Sequence, residues 1–247
     1  MKPEVYEVGD VERLSRQAAE LLMDHGREAV TEKGRYIIAL TGGNTVGPLY
    51  SYMAELEHQM EEESAWGNTY FFWGDERFVA PDHPESNSAM ASRLFLGPSE
   101  VKESNIFKIP TDFPDVQAGA AVYEKTLRAF FKDGPMTDGF PVFDLVLLGM
   151  GPDGHIASLF PETDAIHENE RWVTTSFPPI LKPAVDRITL TLPVINRARL
   201  IIFLISGSEK REIADKILTD PGKYADEYPA ALIRPQEGRV AWVIAKD

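Results

Sequence analysis

Short apolar runs alternate with amphipathic helical stretches along the chain, and this alternation limits the fold more than any other feature. Tyr36–Leu40, Thr69–Trp73, Phe143–Leu148 and Leu200–Ile205 are strand-length and largely apolar. Runs of that kind suit a parallel sheet, which is buried on both faces. Arg171–Thr175, Asp186–Leu190 and Val240–Ala245 read as further strands. From Val11 to Val30 apolar residues recur at helical spacing, with Asp10 as N-cap and Gly34 as stop. Further helices are expected from about Val46 to His58, from near Asn87, from Val116 to Phe131, and from Ser208 to Leu218. The alternation predicts one α/β domain over residues 1–247, a Rossmann-like parallel sheet with helices on both faces. Ligands of such sheets bind at the carboxyl ends of the strands. Three of those ends are rich in glycine and polar residues: 41–45, 74–77 and 149–155. Gly74–Ser86 as a whole reads as a long polar loop.

Composition narrows the function classes. The chain carries 25 basic and 39 acidic side chains, a net charge of −14. That balance opposes non-specific binding to nucleic acid or to an anionic membrane. It leaves room for an anionic small substrate where cations cluster locally. There is no cysteine, which removes disulfides, thiolate metal sites and a cysteine nucleophile, and fits a reducing compartment, the cytoplasm. The N-terminal Met-Lys-Pro-Glu-Val-Tyr-Glu is polar and unlike a signal peptide. Leu200–Ile205 is far too short to span a membrane.

Two stretches imitate nucleotide loops and fail in detail. Gly149-Met150-Gly151-Pro152-Asp153-Gly154 fits G-x-G-x-x-G after a strand. Pro152 and His155 are an odd opening for a pyrophosphate helix, and the acidic residues Glu168 and Glu170 precede the next strand instead of ending it. Gly42 to Gly47 fits the start of a Walker A loop, but Pro48-Leu49 stands where Lys-Ser/Thr is required. What remains is two Gly-rich turns, each after a strand and before an expected helix, whose backbone N–H groups can face an anion.

Of five histidines, His25 and His58 fall on helices among charged neighbours and are expected to be solvated. His83 lies in a polar loop, and His167 has no partner at metal-ligand spacing. His155 follows a strand and a Gly-rich turn, where an α/β site places its chemistry; the alternative is a cap on a following helix. Arg77, in Asp75-Glu76-Arg77, is a candidate guanidinium for a phosphate or an oxyanion. Arg187 opens a strand. Lys210 lies in the first turn of a helix, where a cation opposes the helix dipole unless it faces an anion.

The run from Phe143 to Pro161, with Gly149-Met150-Gly151-Pro152-Asp153-Gly154-His155-Ile156-Ala157-Ser158-Leu159-Phe160-Pro161, closely resembles the signature of 6-phosphogluconolactonases. Thr41-Gly42-Gly43-Asn44-Thr45 is similar to that family's first Gly-rich loop, and Gly74 to Val79 with Ser86-Asn87 to its D-E-R loop. Asp186 to Pro193, Gly207-Ser208-Glu209-Lys210 and Pro229-Ala230-Ala231 resemble its later motifs, in the same order. Asn44 stands where many members carry Ser, and Asp186 where Lys or Gln is common. The glucosamine-6-phosphate deaminase/isomerase family shares the D-G-H core but continues F-N-E-P. Phe160 occupies the position of that titratable Glu.

The resemblance implies hydrolysis of 6-phospho-D-glucono-1,5-lactone, with His155 as the general base on a water. Arg77 or backbone N–H groups would stabilise the oxyanion, and Asp75 or Asp153 would orient the imidazole or bind sugar hydroxyls. Arg187 and Lys210 would hold the phosphate with Gly42, Gly43 and Thr45; Asn44 and Gly154 belong to the same loops. No metal or organic cofactor is implied, and no nucleic-acid or membrane partner. Two alternatives stand beside this reading: the deaminase/isomerase, opposed by Phe160, and a non-enzymatic sugar-phosphate sensor. Only about 35 residues precede the first expected strand, which leaves little room for a DNA-binding module.

Overall fold

The computed structural model describes residues 2–59, 66–99, 101–178 and 184–246. In chain order the elements are β1 (Glu4–Val8), α1 (Val11–Lys33), β2 (Tyr36–Leu40), α2 (Gly47–Gln59), β3 (Thr69–Trp73), β4 (Asp75–Arg77) and α3 (Asn87–Ala91). They continue with α4 (Val116–Phe130), β5 (Met136–Thr137), β6 (Phe140–Pro141), β7 (Leu145–Gly149), β8 (Val173–Ser176) and β9 (Arg187–Leu190). Last come α5 (Leu192–Ile195), β10 (Leu200–Ile205), α6 (Ser208–Thr219) and β11 (Arg239–Ala245).

Six strands form a parallel sheet in the order β1-β11-β10-β7-β2-β3, flanked by helices. Every residue of β2 and β10 is buried, as their unbroken apolar sequences require. The chain runs outward from β2 to β3, then crosses back to place β7 on the other side of β2. The order therefore reverses between β2 and β7. These two strands pair only at Ile38↔Leu145 and Ala39↔Val146, so their carboxyl ends are free to diverge. Such a reversal is where an open α/β sheet leaves a crevice.

Helix ends follow the capping rules. The Asp10 side chain accepts from Arg13 N at 2.8 Å, and Gly34, at φ 70°, closes α1 through its N–H to Val30 O. Two buried tyrosines fix the strand ends beside the crevice. Tyr50 Oη donates to Thr41 O at 2.6 Å and accepts from Thr41 N at 3.2 Å. Tyr123 Oη does the same for Trp73, at 2.9 and 3.0 Å.

The structure departs from the sequence reading in several places. Gly74–Ser86 is not all loop, because β4 occupies its first part and pairs antiparallel with β9. The strands read at 171–175 and 186–190 lie outside the parallel sheet: β8 and β9 join β4 in a separate three-stranded antiparallel sheet. Gly74 is the pivot; its N–H reaches Leu40 O and its carbonyl accepts from Leu190 N, both at 2.8 Å. No helix follows the 149–155 turn, so a helix-capping role for His155 falls away. His25 is not solvated. Its side chain is 13% exposed, and Nε2 lies 2.9 Å from Asp144 O. That partner lies just before β7, 119 residues on, and is invisible in the local sequence of α1. The side chain of His58 lies outside the described residues.

Candidate active site

A cavity of about 410 Å³ opens at the carboxyl edge of the sheet, between the loops that leave β2 and β7. It brings together all three of the Gly-rich or polar strand ends. Gly42, Gly43, Asn44 and Thr45 come from the first, Asp75 and Arg77 from the second, and Gly149 to Pro152 with His155 from the third. A fourth contribution, Leu204 and Lys210, comes from the end of β10 and the start of α6. Asp153, Gly154 and Arg187 do not line it.

His155 and Asp153 form a dyad. Asp153 Oδ1 lies 2.5 Å from His155 Nδ1 and also accepts from the His155 backbone N–H at 3.2 Å. Burial alone would raise the Asp153 pKa. The hydrogen bond and charge of His155 outweigh it, so the carboxyl sits below its ordinary range. An ionised carboxylate can only accept, which puts the proton on Nδ1 and leaves Nε2 as the basic nitrogen of the neutral ring. Asp153, rather than Asp75, is thus the carboxylate bonded to the imidazole. The pair folds together because Gly154 takes φ 73°, a conformation that favours glycine. The Pro229-Ala230-Ala231 segment holds this turn through Ala230 N–H to Gly154 O at 3.0 Å. Phe160 is buried, its ring centroid 4.7 Å from that of His155.

Asp75 has a different duty. It is 6% exposed; Oδ2 accepts from Ser158 Oγ at 2.6 Å, and Oδ1 lies 3.4 Å from Asn87 Nδ2. It ties the β4 segment to the loop beyond His155. Glu76, next to it, is 1% exposed and accepts from the backbone N–H groups of Arg77, Asn87 and Ser88 and from Ser86 Oγ, at 2.7 to 3.0 Å. This carboxylate folds residues 77–88 back on themselves and delivers both Arg77 and Asn87 to the cavity. Arg77 Nη1 donates to Glu85 O at 2.5 Å.

Lys210 is half-buried, and that burial lowers its pKa. Thr45 Oγ1 lies 2.7 Å from Ser206 Oγ, so the first Gly-rich loop is tied to the turn that carries Lys210. Arg187 is 4% exposed and stands opposite Arg77 in the β4–β9 ladder. Directly paired residues share a face of the ladder, so it lies beside Arg77 as a second, like charge. Asn87, Glu85, Ser158 and Gly151 were not singled out as site residues by sequence reasoning. Asn87, Gly151 and Ser158 do lie in the runs that carry the family resemblance; Glu85 does not, and only the folded chain brings it to the cavity. No group of three or more His, Asp or Glu side chains suited to a metal ion exists among the described residues, and no described helix is long and apolar enough to cross a membrane.

A basic nitrogen, an orienting carboxylate and two cations at the edge of an α/β sheet are the parts of an enzyme that moves protons on a small anionic ligand. The chain belongs to the family of glucosamine-6-phosphate isomerases/6-phosphogluconolactonase, whose model matches residues 9–242. It is 40% identical over 217 residues to the 6-phosphogluconolactonase of a Synechocystis strain, covering 88% of this chain and 85% of that one. The 6-phosphogluconolactonase of a Nostoc strain is 37% identical over 244 residues, 99% of this chain and 96% of the relative. Among solved structures, 6-phosphogluconolactonase from Trypanosoma cruzi superposes with a TM-score of 0.86 at 31% identity, covering 99% of this chain and 95% of that one.

Proposed function

We propose that this protein hydrolyses 6-phospho-D-glucono-1,5-lactone to 6-phospho-D-gluconate, a step of the oxidative pentose phosphate pathway, with His155 as general base. The observation that carries the reading is the His155–Asp153 pair, 2.5 Å apart, with apolar Phe160 against the imidazole. The names of the relatives at 37 to 40% identity support it.

His155 Nε2 takes a proton from water as the oxygen attacks the lactone carbonyl. The tetrahedral intermediate carries an oxyanion, met by Arg77 or by backbone N–H groups of the Gly-rich turns. The imidazolium, steadied by Asp153, returns the proton to the ring oxygen as the C–O bond breaks. The product is an open-chain hydroxy acid that ionises to a carboxylate. Lys210 holds the phosphate with Thr45, Gly42 and Gly43, and Arg187, paired with Arg77 across the β4–β9 ladder, adds positive charge beside it. The chemistry needs only base, water and charge stabilisation, so no cofactor is invoked. The reading assigns residues 1–247 to one lactonase domain that works in the cytoplasm.

Deamination and isomerisation of glucosamine 6-phosphate would need a further titratable group where Phe160 stands. The test is parallel assay of both reactions. Acid release from lactone generated in situ should exceed spontaneous opening, with no ammonia from glucosamine 6-phosphate. Ammonia release without lactone turnover would reverse the assignment. Ligand binding without either turnover would point to a sensor.

A further inference from the structure

Two acids line a cavity that has to accept a phosphorylated ligand, and only one of them is committed to holding the fold together. Asp75 is 6% exposed and bonded to Ser158. The Glu85 side chain is 46% exposed, and its Oε2 lies 3.4 Å from Arg77 Nη1. That same nitrogen donates at 2.5 Å to the main-chain carbonyl of Glu85, so the backbone already anchors the guanidinium. The carboxylate is therefore an added negative charge at the cavity wall. Its charged company is Arg77, Arg187 paired with Arg77 across the ladder, and the buried Asp75 and Glu76 of the same strand.

We propose that Glu85 is a specificity residue that discriminates substrate from product by charge. This rests on the reading of the reaction as opening of a phosphorylated lactone. Substrate brings the phosphate charge alone; hydrolysis adds a carboxylate. Glu85 weakens any anion in the cavity, but it penalises the more highly charged product more, by direct repulsion and by occupying Arg77. Release of product is favoured, at a smaller cost in substrate binding. Because Glu85 is half in solvent, its field is screened.

The test is inhibition of lactone hydrolysis by 6-phosphogluconate and by glucose 6-phosphate, which has the phosphate but no carboxylate. Glu85→Gln should lower the inhibition constant for 6-phosphogluconate about two- to fivefold at low ionic strength. The change for glucose 6-phosphate should be smaller, and raised salt should erase the difference. A Glu85→Ala variant with the same selectivity separates charge from the amide introduced by Gln, and thermal midpoints check that both are folded. Equal tightening of both ligands, no tightening, or a difference that survives high salt would overturn the proposal. If the native protein neither opens the lactone nor binds 6-phosphogluconate, the reading of the reaction fails instead.

Discussion

Gly151 has no room for a side chain, because the His155–Asp153 pair lies where one would be. A Cβ built there would sit 2.0 Å from His155 Nδ1 and 2.6 Å from Asp153 Oδ1. The imidazole thus packs directly on the main chain, and its position is set by that contact as much as by its hydrogen bond. Gly151→Ala should push the ring aside and lower kcat/KM about a hundredfold, the scale expected of an ångström-sized misplacement, while the thermal midpoint changes little. Retained activity would show that the ring has another acceptable seat. Gly42 is similar: its Cβ would fall 1.8 Å from Asn87 Oδ1. His155, Arg77, Lys210 and the first Gly-rich loop were legible in the sequence as motif residues. The choice of Asp153 over Asp75 as the partner of His155 was not, because it depends on the backbone turn at Gly154. Nor was the pairing of Arg187 with Arg77, which follows from the β4–β9 register.

Among elements, the segment from β4 to α3 depends most on a single side chain. Glu76 accepts four hydrogen bonds from the segment that turns from strand to helix, and three of its donors are backbone N–H groups. Burial raises its pKa despite them, which marks the cost of keeping a carboxylate there. Glu76→Gln places an amide N–H₂ against donors and leaves part of that set unsatisfied. The variant should lose about 1–3 kcal/mol of stability, read as a lower urea midpoint at unchanged slope; a shift of a few tenths would mean the loop finds other acceptors. Long periodic elements were readable: α1, α2, α4, α6, β2, β3 and β10 lie where hydrophobic spacing puts them, within a few residues. The misses are short or polar. β1 is a half-buried edge strand with the pattern Glu-Val-Tyr-Glu-Val, and β4 has three charged residues and no apolar period. The β5–β6 hairpin turns on Asp138 and Gly139, both at positive φ, a two-residue turn signal that went unused.

At the scale of the whole molecule, the strand reversal between β2 and β7 explains why loops distant in sequence share one cavity. The net charge of −14 is compatible with the proposed anion site because Arg77 and Lys210 both line the cavity, with Arg187 paired to Arg77. The opposite end of β7 carries a second buried polar cluster. Asp144, 1% exposed, binds Lys33, accepts from Ile37 N at 3.0 Å and lies 3.4 Å from Arg199 Nε. Its carbonyl takes His25. Burial holds the His25 pKa below its ordinary value. The unfolded chain therefore binds a proton that the folded chain refuses, and stability is lost as pH falls through the unfolded value near 6.5 toward the lower folded one. The thermal midpoint should drop between about pH 7.5 and 5.5, and His25→Gln should flatten that slope. An identical slope in the variant would assign it to other groups.

The central claim is that His155 supplies the base for lactone opening. Its most direct test is the rate of 6-phosphogluconolactone hydrolysis by the native protein and by His155→Gln, with spontaneous opening subtracted and 6-phosphogluconate binding measured alongside. The account predicts a loss of about 10²–10⁴ in kcat with product binding retained. A variant that keeps its rate within about threefold, far short of a general-base contribution, would contradict it.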